Sequence, residues 1–191
     1  MDRDYNQKKD ITQALVTEHR LILRMITLLE RNAPRTADGT YSNWQFYLDG
    51  VDFIRNFADR FHHAKEEDVL FEALVNNGMP REHSPIAAML MEHGQGRAFV
   101  KNMETAATEA LNGQNGRERI IADNALGYAA LLREHISKED EILYPLAERV
   151  IPDTMREDII AGYAAAEART AADFTARYEA VVAGYELEIL V

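Results

Sequence analysis

The sequence predicts an all-α protein, arranged as an antiparallel up-down four-helix bundle with an additional long C-terminal helix. Helix start signals recur along the chain, whereas few runs alternate as strands do. Apolar residues recur at spacings of three and four, which places them on one face of a helix. Short loops join the predicted helices, as they join neighbouring helices of such bundles.

Two predicted helices occupy the first 76 residues. Each begins at a capping box, in which a short polar side chain and a glutamine three residues later pair with free backbone N–H groups. The pairs are Asp10 with Gln13 and Ser42 with Gln45. The first helix should end near Asn32 because Pro34 follows two residues later. The second should end at about Asn76, where Gly78 and Pro80 prevent continuation.

The third and fourth helices are bounded in the same way. Their start signals are Ser84 followed by Pro85, and Asn115 with Glu118. The third helix should end near Asn112 and Gly113. Pro145 should kink or close the fourth, since it lacks the N–H group that would bond to the preceding turn.

The fifth helix is the predicted long C-terminal helix. Its start signal is Thr154 with Glu157. This Ala-rich segment should run from Asp153 to at least Ala183, with Gly162 as a weak point. It packs outside the bundle or serves a partner contact, and a homodimer through this helix is one expectation.

The length of 191 residues favours one domain, since about 150 residues is typical. We expect a single domain over 1–191, with the core bundle at about 10–150 and a helical extension at 153–191. The composition excludes several classes of protein. A net charge of −11 argues against a nucleic-acid partner, and the absence of Cys excludes disulfides, thiolate metal sites and thiol catalysis. We expect no membrane partner and a cytoplasmic location, because no signal core or run of about 18 apolar residues is found.

A histidine interrupts the apolar stripe of each of the first four helices, and a glutamate follows four residues later in two of them. The histidines are His19, His62, His93 and His135, and the glutamates are Glu66 and Glu139. Residues four apart share one helix face, so each His–Glu pair can point at one small volume. The surrounding segments 62–71 and 135–144 are similar, so two helices offer the same pair of side chains.

Burying two carboxylates without partners costs several kcal/mol each, and a cation removes that penalty. Imidazole and carboxylate without sulfur suit iron, manganese or zinc, and two carboxylates able to bridge favour a dinuclear centre. A lone histidine such as His19 or His93 is more often a hydrogen-bonded core residue, and a glutamate more often faces solvent. The set taken together favours the metal site. We interpret the neighbouring Glu67, Asp68, Asp140 and Glu141 as a solvated face, and His83 as an exposed loop residue.

The chain resembles the hemerythrin-like proteins with the HHE cation-binding domain over roughly residues 10 to 150. The resemblance rests on four motifs, which are Glu18-His19, His62-His63-Ala64-Lys65-Glu66-Glu67 with Leu70-Phe71, Met91-Glu92-His93 with Gly96-Arg97, and His135-Ile136-Ser137-Lys138-Glu139-Asp140 with Leu143-Tyr144-Pro145. It implies a four-helix bundle around a non-haem di-iron centre, with the two glutamates as bridges and an open coordination position.

One departure from that family concerns the third helix. Oxygen-carrying hemerythrins look to have two histidines four residues apart on this helix. In this chain, the residues four before and four after His93 are Met89 and Arg97. His63 is either the replacement ligand or a hydrogen-bonding residue outside the ligands. Tyr128, two turns before His135, is interpreted as a core tyrosine beside the site rather than a ligand. The loss puts reversible oxygen carriage in doubt.

Three functions follow from these observations. The first is a di-iron protein that binds or senses dioxygen, a related small diatomic or peroxide ligand, or iron itself. The second is an enzyme in which the same centre acts on peroxide, nitric oxide or oxygen. The third is a structural or interaction bundle that holds zinc or no metal. A metal-binding or sensing protein is favoured over a dedicated enzyme, because no separate substrate site or catalytic acid stands out.

Overall fold

The computed structural model describes residues 8–188, and all regular structure in that range is helical. The predicted all-α class is therefore confirmed. Two of the six helices contain π-helical turns within a continuous helix. The helices are α1 (Gln13–Ala37), α2 (44–76, made of Trp44–Phe53, π-helical Ile54–His63 and Glu66–Leu70, and Phe71–Asn76), α3 (Pro85–Leu111), α4 (118–150, made of Glu118–Lys138, π-helical Glu139–Leu143 and Tyr144–Val150), α5 (Asp153–Glu167) and α6 (Phe174–Leu187).

Helix α1 begins at Gln13 with Thr12 as the N-cap, slightly later than a capping box at Asp10 predicts, and it also ends later than predicted. The Asp10 carboxylate accepts hydrogen bonds from the backbone N–H groups of Thr12 and Gln13, at 2.9 and 2.7 Å. The predicted end near Asn32 is wrong, because the helix continues through Pro34 to Ala37. Pro34 removes only one backbone hydrogen bond so close to the end. The buried residues of this last turn pack against the core, and that packing outweighs the loss.

The boundaries of α2 and α3 follow the predicted signals closely. Asn43 caps α2 instead of Ser42, since its side chain accepts from the backbone N–H of Phe46. The helix ends at Asn76, and Gly78 then takes a φ of +92°, which glycine adopts without strain. Helix α3 begins at Pro85 and ends one residue before Asn112, as predicted.

The π-helical turns begin at or end beside the predicted ligands of α2 and α4. Such a turn shifts the hydrogen-bond register from i+4 to i+5, which rotates the following residues around the helix axis. Pro145 follows the turn in α4, yet the helix continues to Val150. The altered register explains why a residue without an N–H group does not close this helix.

The predicted single long C-terminal helix is wrong, because α5 ends at Glu167 and α6 starts at Phe174. The Thr170 hydroxyl donates to the backbone carbonyl of Glu167 at 2.8 Å and competes with helix continuation there. Gly162 is not the break. Gly162 instead packs closely against Val69 of α2, since a Cβ added to it would lie 3.0 Å from Cγ1 of Val69. Thr154 is not the N-cap, a position that Pro152 occupies.

Two apolar clusters fill the interior of the described chain. The first contains the C-terminal parts of α1 and α3, the early parts of α2 and α4, and Tyr178 and Val182 of α6. The second contains the opposite parts of the same four helices, together with Ile159 and Tyr163 of α5. Between the two sets, each long helix carries buried polar side chains. The predicted His and Glu residues lie in this polar layer.

Within residues 8–188, every helix is too short or too polar to cross a lipid bilayer.

Candidate metal centre

Seven buried side chains from four helices meet in the polar layer. Helix α1 contributes one, α2 three, α3 one and α4 two, and each is at most 6% exposed. They are His19, His62, His63, Glu66, His93, His135 and Glu139. All of the residues that the sequence proposes as metal ligands are therefore together in the interior.

The seven side chains form two groups that share one glutamate. In each group, one ligand atom from each of four residues lies within 4.8 Å of all the others. One group is His63, Glu66, His93 and His135, and the other is His19, His62, Glu66 and Glu139. Two metal-sized sets of donors thus lie side by side.

Both glutamates contact imidazoles of both groups. The two carboxylate oxygens of Glu139 lie 3.1 Å from Nε2 of His135 and 3.4 Å from Nε2 of His19. One oxygen of Glu66 lies 3.8 Å from Nε2 of His62 and 3.7 Å from Nε2 of His93. Each carboxylate therefore faces imidazoles of both groups at once.

Four imidazoles are held from outside by carboxylates, each through Nδ1. The pairs are His19 with Asp140 (2.8 Å), His62 with Glu18 (2.9 Å), His93 with Glu67 (2.7 Å) and His135 with Glu92 (2.9 Å). A carboxylate that accepts from Nδ1–H leaves the Nε2 lone pair free for a metal and raises the basicity of the ring. All four Nε2 atoms are on the inner side, where those of His19 and His62 lie 3.0 Å apart and those of His93 and His135 lie 3.1 Å apart.

These outer carboxylates are functional residues that the sequence interpretation missed. Glu67 and Asp140 were expected to be part of a solvated face, but both accept hydrogen bonds from histidines of the candidate site. A signal was present, because an acidic residue follows each of the two glutamates and Glu18 and Glu92 each precede a histidine. Only the folded arrangement pairs each acid with a histidine on another helix.

Tyr144 is a further residue that the spacing did not indicate. Its hydroxyl donates to Oε1 of Glu66 at 2.5 Å, and its ring stacks on His19 with centroids 5.5 Å apart. The matching position of the other similar segment is Phe71, which has no hydroxyl. The two glutamates therefore have unequal surroundings.

His63 lies inside the centre without a good hydrogen bond of its own. Its ring stacks on His93 with centroids 3.8 Å apart, and its Nδ1 lies 3.5 Å from Asp59, too far and too poorly aimed for a hydrogen bond. Tyr128 is near but separate. Its buried hydroxyl lacks a hydrogen-bond partner, and it lines a cavity of about 60 Å³ beside His63 and His93.

Burial and neighbouring charges shift the pKa values of the centre in opposite directions. Burial raises the pKa of Glu66 well above its ordinary value, and the charge of Glu139 adds to that shift. Burial also acts on Glu139, but the nearby His135 and His19 outweigh it and hold the pKa of Glu139 low. Burial opposes a charge on His19 as well, yet Asp140 and Glu139 raise its pKa to about 9. The metal-free centre thus holds protons that a metal would displace.

The side chains fit a metal centre on a test internal to the structure. Oε2 of Glu66 and both carboxylate oxygens of Glu139 are buried and accept no hydrogen bond. These oxygens lack a well-aimed hydrogen-bond donor and face imidazoles at 3.1 to 3.8 Å, an arrangement that a cation between them would stabilise. Imidazole nitrogen and carboxylate oxygen suit divalent first-row transition metals.

Comparison with protein families decides the relationship of this chain. The model of the hemerythrin HHE cation-binding domain matches residues 10–147, well over half of the sequence. This chain belongs to the hemerythrin family. The match ends before α5, so both C-terminal helices lie outside the family domain. The predicted family is confirmed.

The known relatives of this hemerythrin-family chain are themselves described as uncharacterized. They include one protein of Mycobacterium bovis and two of Mycobacterium tuberculosis strains, each 20% identical over 137 residues. The alignment covers 72% of this chain and 53% of each relative, so the chain spans about half the length of the curated relatives it matches. No solved structure shows a significant match.

The structure accounts for the two α3 residues that depart from oxygen-carrying hemerythrins. Met89 is buried in the second apolar cluster. Arg97 forms ion pairs with Asp59 and Glu67, at 2.7 and 2.9 Å. The imidazole that stacks on His93 in this hemerythrin-family protein comes from α2 instead.

Proposed function

We propose that this chain is a hemerythrin-like non-haem di-iron protein that binds or senses dioxygen or a related small ligand. The observation that carries the proposal is the position of Glu66 and Glu139, whose unpartnered oxygens lie between two groups of imidazoles. A single ion does not need two carboxylates that each face both groups. Two ions do, because each carboxylate can then bridge them.

The proposed ligand set divides the imidazoles between the two ions. His19 and His62 bind one ion, and His93, His135 and His63 bind the other, with Glu66 and Glu139 as bridges. Iron in such a site supplies reversible redox chemistry and binding of small ligands, while manganese or zinc would fit the same donors.

We further propose that the four long helices follow the antiparallel up-down order expected from the sequence. Two contacts between α1 and α2 support it. Thr36 and Tyr47 bond at 2.6 Å, late in α1 and early in α2. Glu18 and Lys65 pair early in α1 and late in α2. A homodimer through the C-terminal helices and a cytoplasmic location stay predictions.

The cavity beside His63 and His93 supports the binding of a small exogenous ligand. Its volume of about 60 Å³ exceeds the 10–15 Å³ or so that one water needs. Ile54, Val100 and Leu132 give it apolar walls, and the unpartnered Tyr128 hydroxyl offers one hydrogen bond. A purely structural zinc site does not require such a space, so the cavity favours ligand binding over that alternative.

Two iron ions per chain are expected at full loading. Seven donor side chains are too many for one ion that also keeps a free position. Anaerobic loading with ferrous iron, followed by elemental analysis, measures the ratio, and air exposure should then produce near-ultraviolet absorption from paired ferric ions. His83→Asn, which changes an exposed loop histidine outside the centre, is the control and should leave the ratio unchanged. Saturation at one ion per chain would contradict the dinuclear proposal.

Metal affinity should rise with pH up to about pH 9. His19 in the metal-free centre has its pKa raised to about 9, and the pKa of Glu66 is raised as well. Below those values a metal must displace their protons, so one to two protons should be released per loaded centre, and affinity should fall about tenfold or more for each pH unit lost. Calorimetry at pH 7 in two buffers with different protonation enthalpies counts the released protons. Metal binding without proton release would refute this assignment of the bound protons.

A further inference from the structure

The C-terminal helices touch the candidate metal centre at one point. Glu167, the last residue of α5, accepts a hydrogen bond from Nζ of Lys65 at 2.9 Å. Lys65 also pairs with Glu18, and the other oxygen of Glu18 accepts from Nδ1 of His62 at 2.9 Å. A continuous chain of contacts therefore leads from a residue outside the family domain to a proposed ligand.

The other half of the centre has a matching chain of contacts with which this one can be compared. On the other side, Lys138 pairs with Glu92, which accepts from Nδ1 of His135 at 2.9 Å. That arrangement matches Lys65, Glu18 and His62 residue by residue, but no carboxylate corresponding to Glu167 is paired with Lys138 in the described chain. The Lys138 side chain is 38% exposed, whereas that of Lys65 is fully buried.

The third contact changes how firmly Lys65 is held. A lysine side chain loses much rotational freedom when it is fixed, so one exposed ion pair contributes little order. Lys65 is confined by two carboxylates and by the ring of Phe61, whose centroid lies 4.0 Å from Nζ. A fixed Lys65 fixes Glu18, and a fixed Glu18 sets the direction of the His62 ring.

The end of α5 fixes the position of Glu167 itself. The Thr170 hydroxyl and N–H both donate to the backbone carbonyl of Glu167, at 2.8 and 2.9 Å, so the break after α5 holds this residue in place.

We propose that Glu167 is a positioning residue for His62, through which the C-terminal helices strengthen metal binding at the His19–His62 half of the centre only. The proposal rests on the proposed dinuclear function. It makes the two metal positions unequal in affinity through a segment that the family domain lacks.

Stepwise titration with cobalt(II) at pH 8, followed by visible absorption, tests the proposal. Glu167→Ala should weaken one of the two binding steps by about fivefold, less than the 10- to 100-fold typical when a direct partner of a ligand is lost. Glu167→Gln keeps an oxygen for Lys65 and should recover part of that loss. Glu186→Gln is the matched control, because it removes an α6 carboxylate that pairs with Arg24 away from the centre. Equal weakening of both steps, or a response no larger than that of Glu186→Gln, would overturn the proposal.

A measurement on the metal-free chain separates this proposal from the proposed function. Nitrogen NMR of the histidine rings should show a shift for His62 in Glu167→Ala and none for His135. If cobalt fails to bind the natural chain, the proposed function is wrong, and the His62 signal still decides the positioning role. An unchanged His62 signal overturns it.

Discussion

Glu139→Gln should abolish tight binding of both metal ions and destabilise the metal-free chain, whereas Glu66→Gln should abolish it without destabilising that chain. The loss of metal is common to both because each carboxylate faces both groups of imidazoles. The difference in stability arises from their unequal surroundings. This difference is expected even though the two glutamates occupy equivalent positions in the similar segments 62–71 and 135–144.

Glu139 is the ionised member of the pair. His135 and His19 lie 3.1 and 3.4 Å from its oxygens and hold its pKa low. A neutral amide would leave the His19 cation with Asp140 as its carboxylate contact. Breaking a buried pair by removing one partner costs about 3 kcal/mol, which is our expected loss in the free energy of unfolding for Glu139→Gln at pH 7.

Burial and the charge of Glu139 raise the pKa of Glu66 well above its ordinary value and so favour its protonated form. A glutamine has nearly the same shape and charge as a protonated glutamate. Its amide oxygen can still accept the hydrogen bond that Tyr144 donates. Because the pKa of Glu66 is higher in the folded chain than in the unfolded chain, the natural carboxyl lowers the free energy of unfolding as the pH rises above its unfolded-state pKa. An amide does not titrate and has no such effect. Glu66→Gln should therefore change stability by less than about 1 kcal/mol or increase it.

Urea denaturation of the metal-free proteins at pH 7, together with metal titration, measures both effects. Glu118→Gln, which alters a glutamate in the first turn of α4 away from the centre, serves as the control. Equal destabilisation by the two substitutions would show that the surroundings are equivalent. Retained metal binding in either variant would overturn the bridging assignment of that glutamate.

His63→Ala should remove one of the two metal ions and leave the other bound. The ring stacks on His93 in the group that also contains Glu66 and His135, and its Nδ1 has no good hydrogen bond that would explain a purely structural role. If His63 is one of three imidazole ligands, its loss should lower the affinity for the second metal ion more than 100-fold. If it lies outside the ligands, the affinity should fall by about 10- to 100-fold and the absorption spectrum should be unchanged. Elemental analysis and the absorption spectrum after iron loading measure this.

Added imidazole provides a rescue for this variant. The cavity beside His63 and His93 would join the space left by the ring, so free imidazole can enter and restore the second ion. His83→Asn is again the histidine control outside the centre. Retention of two ions per chain with an unchanged spectrum would show that His63 only packs against His93.

The helical fold and the inner donors were predictable because they depend on local geometry. Spacing of three and four along a helix places His62 with Glu66, and His135 with Glu139, on one face whatever the rest of the chain does. The burial of six of the seven proposed donors followed from apolar stripes that continue on both sides of them, whereas His63 lies off the stripe of its helix. The two carboxylates able to bridge led to the expectation of two metal ions, and the family resemblance implied the same number.

Features that depend on contacts between distant segments were not predictable in this way. Glu18 and His62 are 44 residues apart, and His19 and Asp140 are 121 residues apart. The sequence interpretation therefore left Asp140 in solvent. The division of the C-terminal segment into α5 and α6 also depends on local competition by Thr170, which an Ala-rich composition does not reveal.

The sequence by itself determined that these histidines and glutamates lie on helix faces within apolar stripes, since helix periodicity and the cost of burying charge act within each segment. Only the tertiary structure decided which carboxylate holds which imidazole, that the pKa values of the two glutamates shift in opposite directions, and that Glu167 reaches Lys65. The physical reason is that hydrogen bonds and charge interactions act over a few ångströms. Packing of whole helices brings their partners within that distance.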